Sequence, residues 1–184
     1  MRNCANAEQE ISPSAVPSVT ATTTLRYRYL LMDVNEKAPD FTLPDENGEP
    51  ITLSSFKGKP IALFFYPRAN TPGCTVEACG FRDHYGKLTR AGLTVLGISP
   101  DTPKAQKKFQ EKFDLPYTLL ADADKTVAKL FDVLKEKNMY GKKVIGIERT
   151  TFFIGTDGKI ANVWRKVKPE GHADEVLTWF RDHK

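Results

Sequence analysis

Ile61-Ala62-Leu63-Phe64-Phe65 is an unbroken apolar run, bounded by the turn-forming Lys57-Gly58-Lys59-Pro60 and by Pro67. Five residues are too few for a stable helix, so the run reads as a strand buried on both faces. Such a strand needs cover above and below. That restricts the chain to a sheet sandwiched between other layers. Leu93-Thr94-Val95-Leu96-Gly97-Ile98-Ser99 is a second run of the same kind. Between the two, Ala78, Phe81, Tyr85 and Leu88 recur at three- and four-residue steps, which predicts a helix with one apolar face. Ala91-Gly92 ends it. This is a βαβ unit.

The flanking segments extend the same plan. Asp45-Glu46-Asn47-Gly48 separates Phe41-Thr42-Leu43 from Ile51-Thr52-Leu53, as in a hairpin. Thr102 followed by Pro103 starts a helix that carries Ala105, Phe109 and Phe113 on one side. Tyr117-Thr118-Leu119-Leu120 is a short strand. Asp124 is placed to cap a helix with Val127, Leu130 and Phe131. Thr150–Ile154 and Ile160–Trp164 form strands around an Asp157-Gly158 turn, and a last helix carries Val176, Trp179 and Phe180. The expected fold class is α/β: a mixed central sheet, largely parallel, flanked by helices on both faces.

The chain has 184 residues with 40% hydrophobic and 27% charged, enough for one domain with a sizeable core. No apolar run approaches the roughly 20 residues of a membrane helix. Net charge is +4, but the lysines are spread along the chain and interleaved with acids. No basic stripe carries stacking aromatics, so neither nucleic acid nor membrane is expected as a partner. Residues 1–32 contain the Ser/Thr/Pro/Ala-rich stretch Ile11–Thr24, which has no period and cannot build a core. They read as a disordered N-terminal extension, and residues 33–184 as the single domain. The extension lacks the apolar stretch of a secretory signal. An organellar presequence is weighed against Glu8, Glu10 and the few arginines, and a natural start at Met32 is also open. The expected location is cytoplasmic.

Three cysteines do not make a disulfide scaffold. Cys4 stands alone in the extension and reads as incidental. Cys74 follows Thr71-Pro72-Gly73, where the first strand hands over to the helix, and Cys79 comes five residues later. That edge of an open α/β sheet is where ligand sites collect. A thiol at a helix N-terminus sits in a positive field that favours thiolate. A nearby second thiol can trap its oxidised form. The two cysteines offer only two metal ligands, and no further Cys/His cluster completes a site. His84, His172 and His183 have no ligand spacing and read as structural or solvated. No metal or cofactor is expected. On an α-helix, positions five apart have Cα atoms roughly 8–9 Å apart, beyond the about 7 Å a disulfide spans. Joining the two sulfurs therefore requires the first helical turns to unwind.

Pro67-x3-Thr71-x2-Cys74 resembles the peroxiredoxin signature. Thr71-Pro72-Gly73-Cys74-Thr75-x-Glu77-Ala78-Cys79-x-Phe81-Arg82-Asp83 resembles the bacterioferritin-comigratory-protein, or PrxQ, subgroup. Ala38-Pro39-Asp40-Phe41-Thr42-Leu43, Tyr140-Gly141-Lys142-Lys143 and Gly146-Ile147-Glu148-Arg149-Thr150-Thr151-Phe152 resemble the family's other blocks. The likeness spans about residues 34–184. It implies a thioredoxin-like fold and reduction of hydrogen peroxide and organic hydroperoxides, in antioxidant defence.

Carried onto this chain, the resemblance makes Cys74 the peroxidatic cysteine and Cys79 the resolving one. Thr71 would hydrogen-bond thiolate and peroxide, and Arg149 would stabilise the thiolate and the developing charge. Pro67 would shield the pocket, and Glu77 would hold Arg149. The helix start itself offers the N–H groups of Gly73 and Cys74 as further donors. The resemblance further implies an intramolecular Cys74–Cys79 disulfide, thioredoxin (or glutaredoxin) as reductant, and a monomer. Plainer readings stand beside these. Thr71 is also a natural helix cap, Glu77 suits any first helical turn, and Arg149 at a strand edge could be a surface residue. A thioredoxin-like disulfide oxidoreductase and a non-enzymatic holdase are the alternative functions. The first of these is set back by the four-residue gap between the cysteines and by Arg149-Thr150-Thr151 standing where a cis-proline is usual.

Overall fold

The computed structural model describes residues 32–139 and 142–183; residues 1–31 of the N-terminal extension, with Cys4, and Tyr140 and Gly141 of the resembling blocks, lie outside them, whereas Met32, counted with the extension, packs on the domain. The apolar run Ile61–Phe65 is strand β3, preceded by the β1 (Thr42–Pro44) and β2 (Pro50–Thr52) hairpin and a 3-10 turn at Leu53–Phe56. All five β3 residues are buried. Their alternation explains why. Ile61, Leu63 and Phe65 enter one core, whereas Ala62, Phe64 and the following Tyr66 enter another on the opposite face.

The central sheet has the order β5-β4-β3-β8-β9, where β4 is Thr94–Ser99, β5 Thr118–Ala121, β8 Thr150–Ile154 and β9 Ile160–Arg165. β3, β4 and β5 run parallel, and β8 is antiparallel to both β3 and β9. The expected mixed sheet is present. One face carries α1 (Pro72–Arg90), α2 (Pro103–Phe113) and α4 (His172–Asp182), which contribute Phe81, Phe109 and Val176 to that core. The other face is covered by the short α3 (Thr126–Leu130) together with the β1–β2 hairpin. Met32 packs against this second core, and its carbonyl accepts from Arg165 Nη2 at 2.9 Å.

Several local expectations are met and others corrected. Thr102 caps α2, its hydroxyl accepting from Ala105 N–H at 3.3 Å with Pro103 in the first turn. α1 starts at Pro72, two residues before Cys74, where the sequence leads one to expect the helix to open, because proline's fixed φ suits a first helical position. Thr71 is not a side-chain cap: its hydroxyl donates to Arg68 O at 3.0 Å instead. α3 is only five residues long, and Asp124 is the lesser part of its start. The carboxylate of buried Asp122 accepts from Val127 and Ala128 N–H at 3.1 and 2.7 Å, while Asp124 reaches only Thr126 N–H. A separate hairpin, β6 (Leu134–Met139) with β7 (Lys142–Ile147), was not expected. Its first strand is mostly charged and polar, and among the described residues the hairpin forms a two-stranded sheet of its own. The period-2 apolar signal of a half-buried strand is therefore missing.

Candidate active site

Strand pairing brings together the residues that sequence distance separates. β8 runs antiparallel to β3 with Thr150 opposite Phe65. The residue before β8 is Arg149. It therefore stands across from the end of β3, at the sheet edge where the 66–71 loop leads into α1. The Arg149 carbonyl accepts from Val167 N–H at 3.0 Å, which ties its backbone to the segment after β9.

The guanidinium spans two groups of α1. Nη2 donates to Cys74 Sγ at 3.3 Å, and Nη1 donates to Glu77 Oε2. Cys74 and Glu77 are three apart and so share a face of the helix. The arginine is mostly buried, at 13% side-chain exposure, not the surface residue a strand edge would suggest. Burial alone would lower its pKa. Glu77's charge and the Cys74 sulfur outweigh that and hold it above the ordinary arginine value. The result is a fixed cation directed at the sulfur.

Glu77 is 1% exposed, and its Oε1 has no hydrogen-bond partner among the described residues. Burial pushes its carboxyl up to about 7, and Arg149 opposes that shift. Tyr117, whose hydroxyl donates to Ala78 O at 2.7 Å, has its own pKa raised by burial and, in part, by the neighbouring Tyr66 and Glu77. Glu77 thus sits in a dry pocket where its charge acts strongly on the arginine.

Cys74 is 2% exposed and lies in the first turn of α1. The first backbone bond into the helix is Thr75 N–H to Thr71 O at 2.9 Å. Among the described residues, the N–H groups of Gly73 and Cys74 take no backbone acceptor outside the helix. They are the free donors that every helix start leaves, and they adjoin the sulfur. Gly73 lies against Arg149 and the Pro169 ring: a Cβ there would meet Arg149 Nη2 at 3.4 Å and Pro169 Cγ at 3.5 Å. Pro67 is half-buried in the loop leading to α1. Thr71 sits at the helix entry with its hydroxyl proton on Arg68 O, which leaves its oxygen lone pairs free to accept.

Cys79 is half-buried, free, and in the same uninterrupted helix as Cys74. The dithiol form therefore holds the two sulfurs apart, as helix geometry requires. The histidines are structural. His172 is buried between Thr151 Oγ1 at 2.8 Å and Glu175 at 3.2 Å, and burial lowers its pKa. His84 bonds Gly80 O, and His183 stacks on Trp179.

Sequence reasoning picked out Cys74, Glu77 and Arg149, and the fold brings all three into contact. It did not pick out Pro169, which meets the site only through the tertiary course of the segment after β9. Nor did it single out Tyr117. Its spacing marks a strand start, whereas its hydroxyl reaches α1.

Comparison with known proteins gives a consistent result. The profile of the AhpC/TSA family matches residues 34–163. A Coxiella burnetii chain assigned to the Bcp peroxiredoxins is 53% identical over 146 residues, covering 79% of this chain and 97% of its own. Peroxiredoxin Bcp of Escherichia coli K12 is 47% identical, covering 79% and 94%. A solved structure of the Xanthomonas campestris bacterioferritin comigratory protein, described for its alkyl peroxide reduction activity, superposes with a TM-score of 0.75. It is 40% identical and covers 78% of this chain and 91% of its own.

Proposed function

The chain belongs to the AhpC/TSA family, as a thioredoxin-fold peroxiredoxin of the Bcp/PrxQ kind, and from that premise we propose how its residues divide the work. The protein is a thiol-dependent peroxidase: it takes peroxide substrates and a thiol reductant. Cys74 is the nucleophile. Its thiolate attacks one peroxide oxygen, the O–O bond breaks, and the distal oxygen leaves as alkoxide or hydroxide and takes up a proton. Cys74 becomes a sulfenic acid.

The leaving oxygen needs donors where charge develops. Arg149 is the permanent cation beside the sulfur, and the Gly73 and Cys74 N–H groups supply two more donors. The observation that carries this reading is the fork of Arg149 between Cys74 Sγ and Glu77. Glu77 sets the arginine's plane, Thr71 accepts from or orients the peroxide, and Pro67 keeps water away.

Cys79 resolves the intermediate. Its sulfur displaces the sulfenic hydroxyl, giving the Cys74–Cys79 disulfide and water. The unwinding of α1 that this demands follows from both cysteines lying in one helix. The chain has no Cys-x-x-Cys of its own, so a separate dithiol protein reduces the bond, and the family likeness makes thioredoxin our choice. We take the acting form as a monomer in the cytoplasm, on the family likeness.

The experiment is stopped-flow consumption of hydrogen peroxide and cumene hydroperoxide, coupled to thioredoxin, thioredoxin reductase and NADPH. Cys74→Ser abolishes consumption. Cys79→Ser consumes one equivalent and then stalls. Turnover by Cys74→Ser would overturn the assignment.

A further inference from the structure

The loop between β3 and α1 carries Pro67 and Thr71 and decides where the helix, and with it Cys74, begins. It contains a sharp bend: Asn70 has φ of +57°, in the left-handed region that asparagine tolerates. Lys112 Nζ donates to Asn70 Oδ1 at 2.8 Å on the exposed side. On the inner side, Ala69 N–H donates to Asp101 Oδ2 at 2.7 Å. Asp101 lies just past the end of β4, the neighbour of β3, so the tie crosses from one strand end to the next.

Asp101 is itself held by a chain of buried polar groups. The same Oδ2 accepts the Ser99 hydroxyl at 2.7 Å. Ser99 Oγ accepts from Gln106 Nε2 at 2.9 Å, and Nε2 also donates to Leu120 O at 2.9 Å. Gln106 Oε1 accepts the Tyr66 hydroxyl. The Leu120 carbonyl fixes which way the Gln106 amide faces, because a flipped amide would set two acceptors against each other. Every side-chain donor along the chain then points the same way, from Tyr66 through Gln106 and Ser99 to Asp101, and the Asp101 N–H closes back on Ser99 Oγ at 3.3 Å. Tyr66, Ser99 and Gln106 are each 1% exposed or less. Burying three polar side chains is unfavourable unless each finds partners, and apolar residues would fill the same space more simply.

We propose that Asp101 is a positioning residue for peroxide reduction. Through Ala69 N–H it fixes the rim of the peroxide pocket and the entry of α1, and the Tyr66–Gln106–Ser99 chain aims its carboxylate. Asp101 touches neither the sulfur nor the substrate; it acts through the loop. The inference rests on Cys74 being the peroxide-reactive thiol.

The test is single-turnover stopped flow of the pre-reduced protein against hydrogen peroxide, reading the second-order rate constant. A small displacement of a reacting group slows a reaction by about 10- to 100-fold, and that is the loss expected for Asp101→Ala. Asp101→Asn keeps an oxygen that can accept from both Ala69 N–H and Ser99, and stays within about threefold of wild type. Rescue by asparagine separates positioning from charge and from general loosening. If Asp101→Ala does not fold, Ser99→Ala carries the test. It leaves the Ala69 bond but frees the carboxylate to swing, and slows the step several-fold. The proposal is overturned if Asp101→Ala or Ser99→Ala reacts at the wild-type rate, or if Asp101→Asn is as slow as Asp101→Ala. If Cys74→Ser also consumes peroxide, the underlying assignment fails instead.

Discussion

At Arg149 a single planar guanidinium meets both Cys74 Sγ and Glu77 Oε2, so one side chain supplies a cation to the sulfur and takes its orientation from a buried carboxylate. A lysine could place a charge there but not the fork. Arg149→Lys is expected to slow the peroxide step by about 10²-fold, the loss that follows removal of one well-placed donor. Single-turnover stopped flow measures it, and a wild-type rate would mean that charge alone suffices. Glu77 reads in the sequence as a first-turn acid, but α1 begins at Pro72, which puts it in the second turn, and there it is buried. Its burial comes from α1 lying over the Arg149 edge of the sheet, which no local pattern encodes. Thr71 shows the opposite limit. Its sequence position is a cap, yet the bend at Asn70 turns its hydroxyl toward Arg68 O.

Helix α1 is the element where chemistry and stability meet. Its first turns carry Cys74 and Glu77, and they must unwind for the disulfide with Cys79 to form. Beyond them the helix is pinned: the Tyr117 hydroxyl holds Ala78 O, Phe81 stacks on Phe64 at 4.7 Å, and Arg82 Nη1 holds Phe113 O. Unwinding therefore ends near Ala78, and Cys74 travels toward Cys79.

Glu77 makes the balance pH-dependent. Its carboxyl is pushed up to about 7 in the wound helix, chiefly by burial, and returns toward 4.5 once unwound. Between these values the unwound segment releases a proton that the wound one keeps. The wound form thus loses stability as pH rises from about 4.5 to about 7, and is level above that. Among the described residues, Arg149, which also meets Cys74, and Tyr117 are the charged or titratable groups that act on Glu77. The check is the opening free energy of residues 75–78 by amide exchange across this range. It should fall in the native protein and stay flat in Glu77→Gln.

On the scale of the whole molecule, the sheet is a platform that brings three strand ends, after β3, after β4 and before β8, to one edge. Its apolar runs were plain in the sequence because a strand buried on both faces has no polar alternation to hide it. The edge contacts were not. Asp101 reaches Ala69, and Arg149 reaches Cys74, only once β4 and β8 flank β3. The β6–β7 hairpin was hidden by a charged first strand.

The platform is closely fitted. Gly97 in β4 leaves room for the Phe64 ring, which a Cβ would approach to 2.8 Å, along with Leu119 Cδ2. Gly97→Ala should destabilise the fold by about 1–3 kcal/mol, the usual penalty of overpacking, read by equilibrium denaturation.

The most direct measurement of the account compares amide exchange by mass spectrometry in the dithiol protein and after one equivalent of hydrogen peroxide. The dithiol form should protect residues 75–80. The oxidised form should lose that protection up to about Ala78, keep it from Phe81 onward, and yield a Cys74–Cys79 linked peptide. Equal protection in the two forms, or oxidised protein without that linkage, would contradict it.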